Sequence, residues 1–215
     1  QLLANAKSFH LDIIDQLNFK DNELVAKQVG AIFSEITLFF DQNQATDYDY
    51  IYDQLVSKAE FLSTRICSAY LNDIGIKNNW LDVRECIKTD SDFRRAKVDW
   101  EKTTKEILNN VDTKSITITQ GFIGKDAEGN TTTLGREGSD YTAGIFAYCL
   151  DAKEVSIFKD VPGVLNADPR EFDQTTLIEE ISYREAIEMA FYGASVIHPK
   201  TLQPLQRKGI PMRVR

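Results

Sequence analysis

The stretch TTTLGREGSDYTA, residues 131–143, combines the groups that a protein uses to hold an anion. Gly135 and Gly138 allow the backbone to approach a ligand closely, and Arg136 can grip a carboxylate or phosphate with two parallel hydrogen bonds. Ser139 is predicted to cap the helix that follows, whose free N–H groups and dipole attract negative charge. The stretch therefore predicts an anion site, although an ordinary glycine-rich loop with a serine cap has the same composition.

Charged residues also surround a Pro-Gly turn in FKDVPGVLNADPR, residues 158–170, directly after a predicted strand. Lys159 and Arg170 flank Asp160 and Asp168, an arrangement that suits a polyphosphate with its metal ion. In a parallel sheet, ligands gather at the carboxyl ends of strands, which is where this stretch lies. An exposed surface loop would contain the same residues, so the stretch alone leaves both interpretations open.

Three further features bear on chemistry. Asp140 falls in the first turn of the predicted helix, where the dipole stabilises a carboxylate. Glu60 lies beside the apolar face of another predicted helix; an exposed glutamate would be ordinary there, whereas a partly buried one could bind an ammonium group. In QGFIG, residues 120–124, glycines mark a strand end that packs closely against a neighbour. We interpret His198 as a residue that starts a helix rather than as a catalyst.

The first half of the chain has the periodicity of helices. Helices are predicted around residues 9–17 and 23–40, and over 51–67, where apolar residues recur at steps of three and four. A short strand is predicted at 80–86 and a further helix within 92–111. The apolar face of the 51–67 helix is formed by Ile51, Leu55, Ala59, Leu62 and Ile66.

The second half alternates strands with helices. Strands are predicted in residues 114–121, 154–158 and 210–215 from their β-branched residues. A helix begins at about Ser139, a second opens with a Ser182–Glu185 capping box and ends at Gly193, and a third runs from Pro199 to Gly209. This alternation predicts an α/β fold with a mainly parallel sheet covered by helices on both faces.

The composition restricts the class of protein. The 215 residues include 25 basic and 33 acidic side chains, and the net charge of −8 argues against nucleic acid as the main partner. Three scattered cysteines and two histidines give no disulfide framework and no zinc site, which favours a reducing cytoplasm and predicts no protein-held metal. No apolar run approaches the roughly 20 residues of a membrane span. The absence of an initial Met suggests part of a longer chain.

Four motifs in order resemble aspartokinase, a member of the amino-acid kinase superfamily. They are ITQGFIG, TTTLGREGSDYTA, KDVPGVLNADPR and FYGASVIHPKTLQPL. The resemblance is dense over residues 115–215 and sparser upstream, where LVSKAEFLSTRI is similar to the helix of the family that carries its L-V-S-x-G-E-x-x-S pattern. Several motifs matched in sequence order are far more specific than one glycine pattern.

The resemblance implies a three-layer αβα sandwich and ATP-dependent phosphorylation of the side-chain carboxylate of L-aspartate to 4-phospho-L-aspartate. This is the committed, allosterically regulated step toward lysine, threonine and methionine. It implies ATP and Mg²⁺ as cofactors, with the metal held mainly through the nucleotide phosphates, and Asp140 as the catalytic residue. It assigns Glu60, Phe122, Arg136 and Ser139 to the aspartate site and Lys159, Asp160, Leu165, Arg170, Ser195 and Val196 to the nucleotide site.

The chain also departs from the family pattern. Ser195 stands where many members have lysine, Leu165 replaces a residue that is often aromatic, and Glu137 fills a variable slot. The lysine–glycine strand K-F-G-G-T that opens the family's fold and the regulatory ACT domains have no counterpart in residues 1–215. We therefore expect an interior part of the kinase domain that lacks the first βα unit and is inactive by itself, with residues 1–112 mainly on the substrate side and 113–215 on the nucleotide side. The full-length protein is expected to form a homo-oligomer.

Two other functions remain open from the sequence. One is a different amino-acid kinase, such as an acetylglutamate or carbamate kinase, although Glu60 and TLGREGSDYTA favour aspartate as acceptor. The other is a non-catalytic relative that binds an amino acid, for which the serine at position 195 gives some support. The identity of the feedback inhibitor and a fusion to homoserine dehydrogenase are left open by these residues.

Overall fold

The computed structural model of the chain describes residues 1–193 and 196–215 and divides into two compact units. Unit 1 is Gln1–Thr133 and unit 2 is Leu134–Arg215. The predicted division at residue 112 separates a substrate-side part from a nucleotide-side part. It is a division by function, which the boundary between the two compact units does not test, so it stays a prediction.

Three long helices form the first part of unit 1: α1 (Leu2–Leu17), α2 (Asn22–Gln42) and α3 (Tyr48–Asp73). Asp21 and Asp47 begin α2 and α3 because their side chains accept hydrogen bonds from backbone N–H groups of the first turn. The three predicted helices are confirmed, each longer than its apolar pattern. Helix α2 packs against both of the others and buries residues at helical spacing, namely Val25, Val29, Ile32, Phe33 and Ile36.

The rest of unit 1 contains two strand pairs and one helix. Strand β1 (Asn78–Leu81) pairs in parallel with β2 (Ile116–Thr119), and α4 (Trp100–Asn110) lies between them in the chain. Strands β3 (Ile123–Lys125) and β4 (Thr131–Thr133) form an antiparallel hairpin. Unit 1 thus combines a parallel pair with a crossover connection and a local hairpin.

Two predicted elements of unit 1 have different bounds in the structure. The strand predicted over 80–86 ends at Leu81, because the Asp82 side chain accepts a hydrogen bond from the Arg84 N–H and starts a 3₁₀ turn. The helix predicted within 92–111 begins only after Asp99, whose carboxylate caps it. In both cases an aspartate that bonds to its own backbone sets the boundary.

In its described residues, 134–193 and 196–215, unit 2 contains three helices and one parallel strand pair. The helices are α5 (Gly138–Cys149), α6 (Tyr183–Phe191) and α7 (Pro199–Lys208). Strand β5 (Val155–Ile157) pairs in parallel with β6 (Met212–Val214). With two of the three described strand pairs parallel and helices between them, the predicted α/β class is confirmed. The buried core consists of Ala147, Val155, Ile157, Ile197, Leu202, Leu205 and Ile210.

The ends and contacts of the unit 2 helices follow from particular residues. The predicted capping box of α6 is present, since the side chains of Ser182 and Glu185 each bond to the other's backbone N–H. Gly209, at φ 63°, ends α7. Gly144 allows α5 and α7 to touch, because a Cβ on it would lie 3.1 Å from the carbonyl oxygen of Thr201.

Candidate functional site

The loop that enters α5 bends through two left-handed residues. Gly135 has φ 82° and Glu137 has φ 53°, and the helix begins directly after Glu137. The predicted cap by Ser139 is wrong: the left-handed turn starts the helix before Ser139, which is an exposed residue of the first turn. Asp140 lies in that first turn, where it was predicted.

An ion pair joins the start of α5 to the end of β5. Lys159 Nζ lies 2.8 Å from Asp140 Oδ2, and their side chains are only 20% and 16% exposed. The Lys159 N–H donates to the Arg215 carbonyl at 2.9 Å, which extends the β5–β6 ladder and fixes the position of the lysine backbone. The pair is shielded from water, so its attraction is stronger than that of a surface ion pair.

Glu137 adds a second carboxylate to this cluster. Its Oε2 accepts a hydrogen bond from the backbone N–H of His198 at 2.8 Å and lies 3.9 Å from Lys159 Nζ. This residue was not predicted from the sequence, because it fills a slot that is variable in the family pattern. The available signal was an acidic side chain placed between two glycines, at a point where the chain must turn sharply.

Arg136 and Ser139 are exposed at the same helix start. Within residues 1–193 and 196–215, no carboxylate forms an ion pair with Arg136. Arg136 is thus an exposed cation two residues before the start of α5, a position suited to binding an external anion.

The 158–170 loop holds its charged residues near the surface. Arg170 makes a bidentate pair with Asp168, with Nη2 2.7 Å from Oδ2, and its side chain is 85% exposed. This guanidinium, together with the Arg170 N–H, lowers the pKa of Asp168 to about 2. Leu165 forms a bridge with Leu177 in the returning part of the loop, while Asp160 is exposed. These contacts fit a local loop structure as well as a ligand site.

A cavity of about 890 Å³ lies in unit 2 beside this loop. Pro162, Gly163 and Val164 line it on one side, and the half-buried Val196 lines it as well. The cavity thus borders two segments that the sequence assigned to a nucleotide. Ser195, which was assigned with Val196, lies outside the described residues.

Unit 1 contains the other two predicted substrate residues, Glu60 and Phe122. Glu60 is half-buried in α3, and burial alone raises the pKa of its carboxyl group. Among the described residues, no side chain pairs with this carboxylate. Phe122 follows β2 with a left-handed φ of 71°. A desolvated carboxylate and a strained residue are typical of sites that meet a ligand.

A fully buried glutamine, missed from sequence, links the elements that carry these two residues. Gln120 Nε2 donates to Thr64 Oγ1 at 2.9 Å, and its Oε1 accepts from the Val83 N–H at 2.9 Å. Thr64 Oγ1 in turn donates to the Glu60 carbonyl at 2.7 Å. The end of β2 is therefore fixed to the turn of α3 that carries Glu60. Whether Glu60 and Phe122 share a cleft with Arg136, Ser139 and Asp140 of unit 2 stays a prediction.

The threonines that open TTTLGREGSDYTA are structural. Thr131, Thr132 and Thr133 are all buried in β4. The Thr132 hydroxyl lies 2.7 Å from that of Thr89, and the Thr133 hydroxyl donates to Asp53 at 2.8 Å. These hydroxyls form contacts within the protein. The anion site predicted from this stretch is therefore limited to the residues that follow the threonines.

Replacement of Glu60 by glutamine is expected to stabilise unit 1 at pH 7. Burial raises the folded-state pKa above the unfolded value of about 4.3. The ionised side chain therefore lowers the free energy of unfolding as pH rises from the unfolded pKa through the folded pKa. Glutamine removes this effect, so the variant should unfold at a higher urea concentration than the parent at pH 7 and at the same concentration below pH ~4. Urea unfolding at both pH values measures the difference.

Glu60→Gln should also bind a substrate that carries an ammonium group less well than the parent does. This second measurement distinguishes a carboxylate that binds substrate from one that is merely buried. Glu128→Gln, at an exposed turn of unit 1, is the matched control and should change neither property. A Glu60→Gln variant that is less stable than the parent at pH 7 would contradict the prediction.

Over residues 1–193 and 196–215, no group of three or more His, Cys, Asp or Glu side chains is placed to hold a metal ion. None of the helices described is both long and apolar enough to cross a bilayer.

Comparison with known proteins assigns the chain to a family. The sequence profile of the amino acid kinase family matches residues 6–215, nearly the whole chain. The chain belongs to the amino acid kinase family. The amino-acid kinase fold predicted from the motifs is confirmed by the crystal structure of E. coli aspartokinase III in complex with aspartate and ADP, which superimposes with a TM-score of 0.91. That structure is 34% identical and is matched over 99% of this chain and 48% of its own.

Curated relatives of this amino acid kinase chain confirm its resemblance to aspartokinase. Lysine-sensitive aspartokinase 3 of E. coli K12 is 35% identical over 212 residues, which are 97% of this chain and 46% of the relative. Aspartokinase 1, chloroplastic, of Arabidopsis thaliana is 33% identical over 222 residues, 99% of this chain and 38% of the relative. The chain spans less than half the length of these relatives.

Proposed function

We propose that the protein containing this chain transfers the γ-phosphoryl group of ATP to the side-chain carboxylate of L-aspartate, giving 4-phospho-L-aspartate. The observation that carries the proposal is the shielded Lys159–Asp140 pair at the first turn of α5, next to the exposed Arg136. The relatives named aspartokinase, one of them crystallised with aspartate and ADP, support aspartate as the acceptor.

The acceptor is an amino acid with two carboxylates. Arg136 holds its α-carboxylate in a bidentate pair, with Ser139 beside it, and Glu60 holds its ammonium group. Phe122 provides apolar contact to the carbon chain. The side-chain carboxylate is already a nucleophile at neutral pH, so the reaction needs no strong base.

The phosphates of the nucleotide carry the negative charge that must be neutralised during transfer. The Lys159 ammonium and the N–H groups at the start of α5 face the transferring phosphoryl group. Asp140 keeps the ammonium in place through the 2.8 Å contact. The remaining residues assigned to the nucleotide are Asp160, Leu165, Arg170, Ser195 and Val196.

When bound with the nucleotide, Mg²⁺ would supply positive charge that offsets the charge of the phosphates. The donor set fits an ion that arrives this way, since Asp140 and Glu137 are oxygen donors and Mg²⁺ keeps most of its ligands as phosphates and water. Asp140 and Glu137 are the residues that would hold it from the protein side.

Replacement of Arg136 by lysine is expected to raise the KM for aspartate by about 10-fold to 100-fold in the full-length protein. Lysine keeps the charge but loses one of two parallel hydrogen bonds to a carboxylate, and a hydrogen bond to a charged group contributes about 1.5–3 kcal/mol. Steady-state kinetics with each substrate varied in turn measure the change.

The control is Arg184→Lys, on the exposed surface of α6, which should leave both KM values unchanged. The KM for ATP should stay within about twofold in Arg136→Lys, because uniform loss of acceptor binding leaves the nucleotide site intact. A rise in the KM for ATP with no change for aspartate would place Arg136 in the other site and contradict the assignment.

The two alternative functions predict different results from the same preparation. An acceptor panel of aspartate, N-acetylglutamate and carbamate, with ATP and Mg²⁺, separates aspartokinase from other amino-acid kinases. Calorimetric titration with aspartate separates an enzyme from a non-catalytic binding protein: binding without ADP production from any acceptor would support the latter.

A further inference from the structure

Glu137 occupies a backbone conformation that does not suit a glutamate. Its φ of 53° and ψ of 33° lie in the left-handed region, which glycine adopts freely and other residues adopt at a cost. Gly135 and Gly138 lie on either side of it. Glycine would adopt this turn more easily than glutamate. A glutamate here therefore requires a side-chain contact that compensates for the strained backbone.

The side chain makes that contact outside its own helix. Within the described residues it forms no capping bond to α5; its Oε2 instead accepts the His198 N–H at 2.8 Å. His198 is the cap residue of α7, because its ring accepts the Lys200 N–H at 3.1 Å. The Glu137 carboxylate thus joins the start of α5 to the segment that leads from Val196 into α7.

The same carboxylate also sets the charge around Lys159. One ammonium group lies 2.8 Å from Asp140 and 3.9 Å from Glu137, and the three side chains are between 16% and 20% exposed. Two carboxylates against one ammonium leave a local excess of negative charge where the proposed function requires a polyphosphate to bind. Glu137 therefore has two opposite effects on the binding of a polyphosphate. Its hydrogen bond favours binding by positioning the Val196–His198 segment, and its negative charge opposes binding.

We propose that Glu137 is a positioning residue that sets the affinity for the nucleoside di- or triphosphate. Its hydrogen bond holds the Val196–His198 segment in place for the nucleotide, and its charge restrains the Lys159 ammonium and weakens polyphosphate binding. This inference rests on the proposed function, because it takes the helix start to be the phosphate site. It does not involve the binding of the acceptor amino acid.

Two substitutions separate the two effects. Glu137→Gln keeps an oxygen that can accept the His198 N–H and removes the charge. Glu137→Gly removes both and also relieves the left-handed backbone. Comparison of Glu137 with Gln isolates the charge, and comparison of Gln with Gly tests the hydrogen bond together with the backbone conformation that it compensates. Glu188→Gln, an exposed residue of α6, serves as the matched control.

The measurement is ADP binding to the full-length protein by calorimetry, with and without Mg²⁺, together with both KM values and the thermal unfolding midpoint. We expect Glu137→Gln to bind ADP about 3-fold to 10-fold more tightly than the parent without Mg²⁺. Glu137→Gly should bind at least about fivefold more weakly than Glu137→Gln, since loss of one hydrogen bond to a fixed partner has an effect of this size. The KM for aspartate should stay within about twofold in both variants.

Each outcome decides one of the two claims. If the parent binds ADP and both variants bind it equally well, Glu137 has no positioning role and the inference fails while the proposed function stands. The inference also fails if the variants change the KM for aspartate but not the affinity for ADP. It fails likewise if the changes in ADP affinity parallel a fall in the thermal unfolding midpoint. If the parent binds no ADP with or without Mg²⁺, the proposed function fails first.

Discussion

Replacement of Asp140 by asparagine is expected to lower kcat of the full-length protein by about 100-fold and to leave ADP binding within a few-fold. The carboxylate holds the Lys159 ammonium at 2.8 Å in a shielded position. Asparagine fills the same space but has no charge, so the ammonium can move toward Glu137, which already lies 3.9 Å away. A displacement of about 1 Å of a group that neutralises the transition state can reduce the rate 100-fold.

The effect should appear in kcat more than in either KM, since Lys159 is required most when charge builds up on the transferring phosphoryl group. Rapid-quench measurement of a single turnover tests the chemical step directly. Asp173→Asn, on the exposed loop of unit 2, is the matched control and should retain the parent kcat. Full activity of Asp140→Asn would remove Asp140 from the catalytic assignment.

The second large effect is expected on stability. Asp53→Ala should lower the free energy of unfolding of unit 1 by about 3–5 kcal/mol, because three donors, two of them buried, lose their acceptor at once. The Asp53 carboxylate is fully buried and accepts from the N–H groups of Arg94 at 2.9 Å and Thr133 at 2.7 Å, and from the Thr133 hydroxyl at 2.8 Å. Burial raises its pKa despite these bonds, so Asp53→Asn should lose less stability than Asp53→Ala.

Urea unfolding followed by tryptophan fluorescence measures this change in unit 1 alone, since both tryptophans of the chain, Trp80 and Trp100, lie there. The midpoint of Asp53→Ala should fall by more than about 1 M. Asp49→Ala is a close control: it lies one turn earlier in α3 and pairs with the exposed side chain of Arg94 at 3.1 Å, a surface contact that contributes less than about 1 kcal/mol. Equal losses of unfolding free energy in the two variants would show that the hydrogen bonds of Asp53 do not hold β4 in place.

Periodicity located the helices well but identified only part of the buried face of α3, where Leu62 and Ile66 are buried as predicted. The predicted face included Ala59, which is exposed, whereas Asp53 and Ser57 are fully buried. A pattern search that counts apolar residues cannot detect polar side chains that turn inward to bond with a distant strand. The partners of Asp53 lie 41 and 80 positions away, so only the tertiary structure reveals them.

The candidate site was predicted in a similar, partial way. The sequence placed Asp140 at a helix start and Lys159 after a strand, and a parallel fold brings such positions to the same edge. It could not predict that Glu137 would adopt a left-handed conformation and thereby begin the helix before Ser139. Backbone direction at a glycine-rich turn depends on contacts such as the Glu137–His198 bond, and these are absent from any local pattern.

The absence of a side chain at Gly144 has a mechanical consequence for unit 2. A Cβ there would lie 3.1 Å from the carbonyl oxygen of Thr201, so the backbone of α5 packs directly against α7, with the side chains of Pro204 and Leu205 at the same contact. Asp140 lies one turn before this contact and His198 three residues before its other side. Any displacement of the Val196–His198 segment would consequently shift α7 together with α5, and with them the first turn of α5 that carries Asp140.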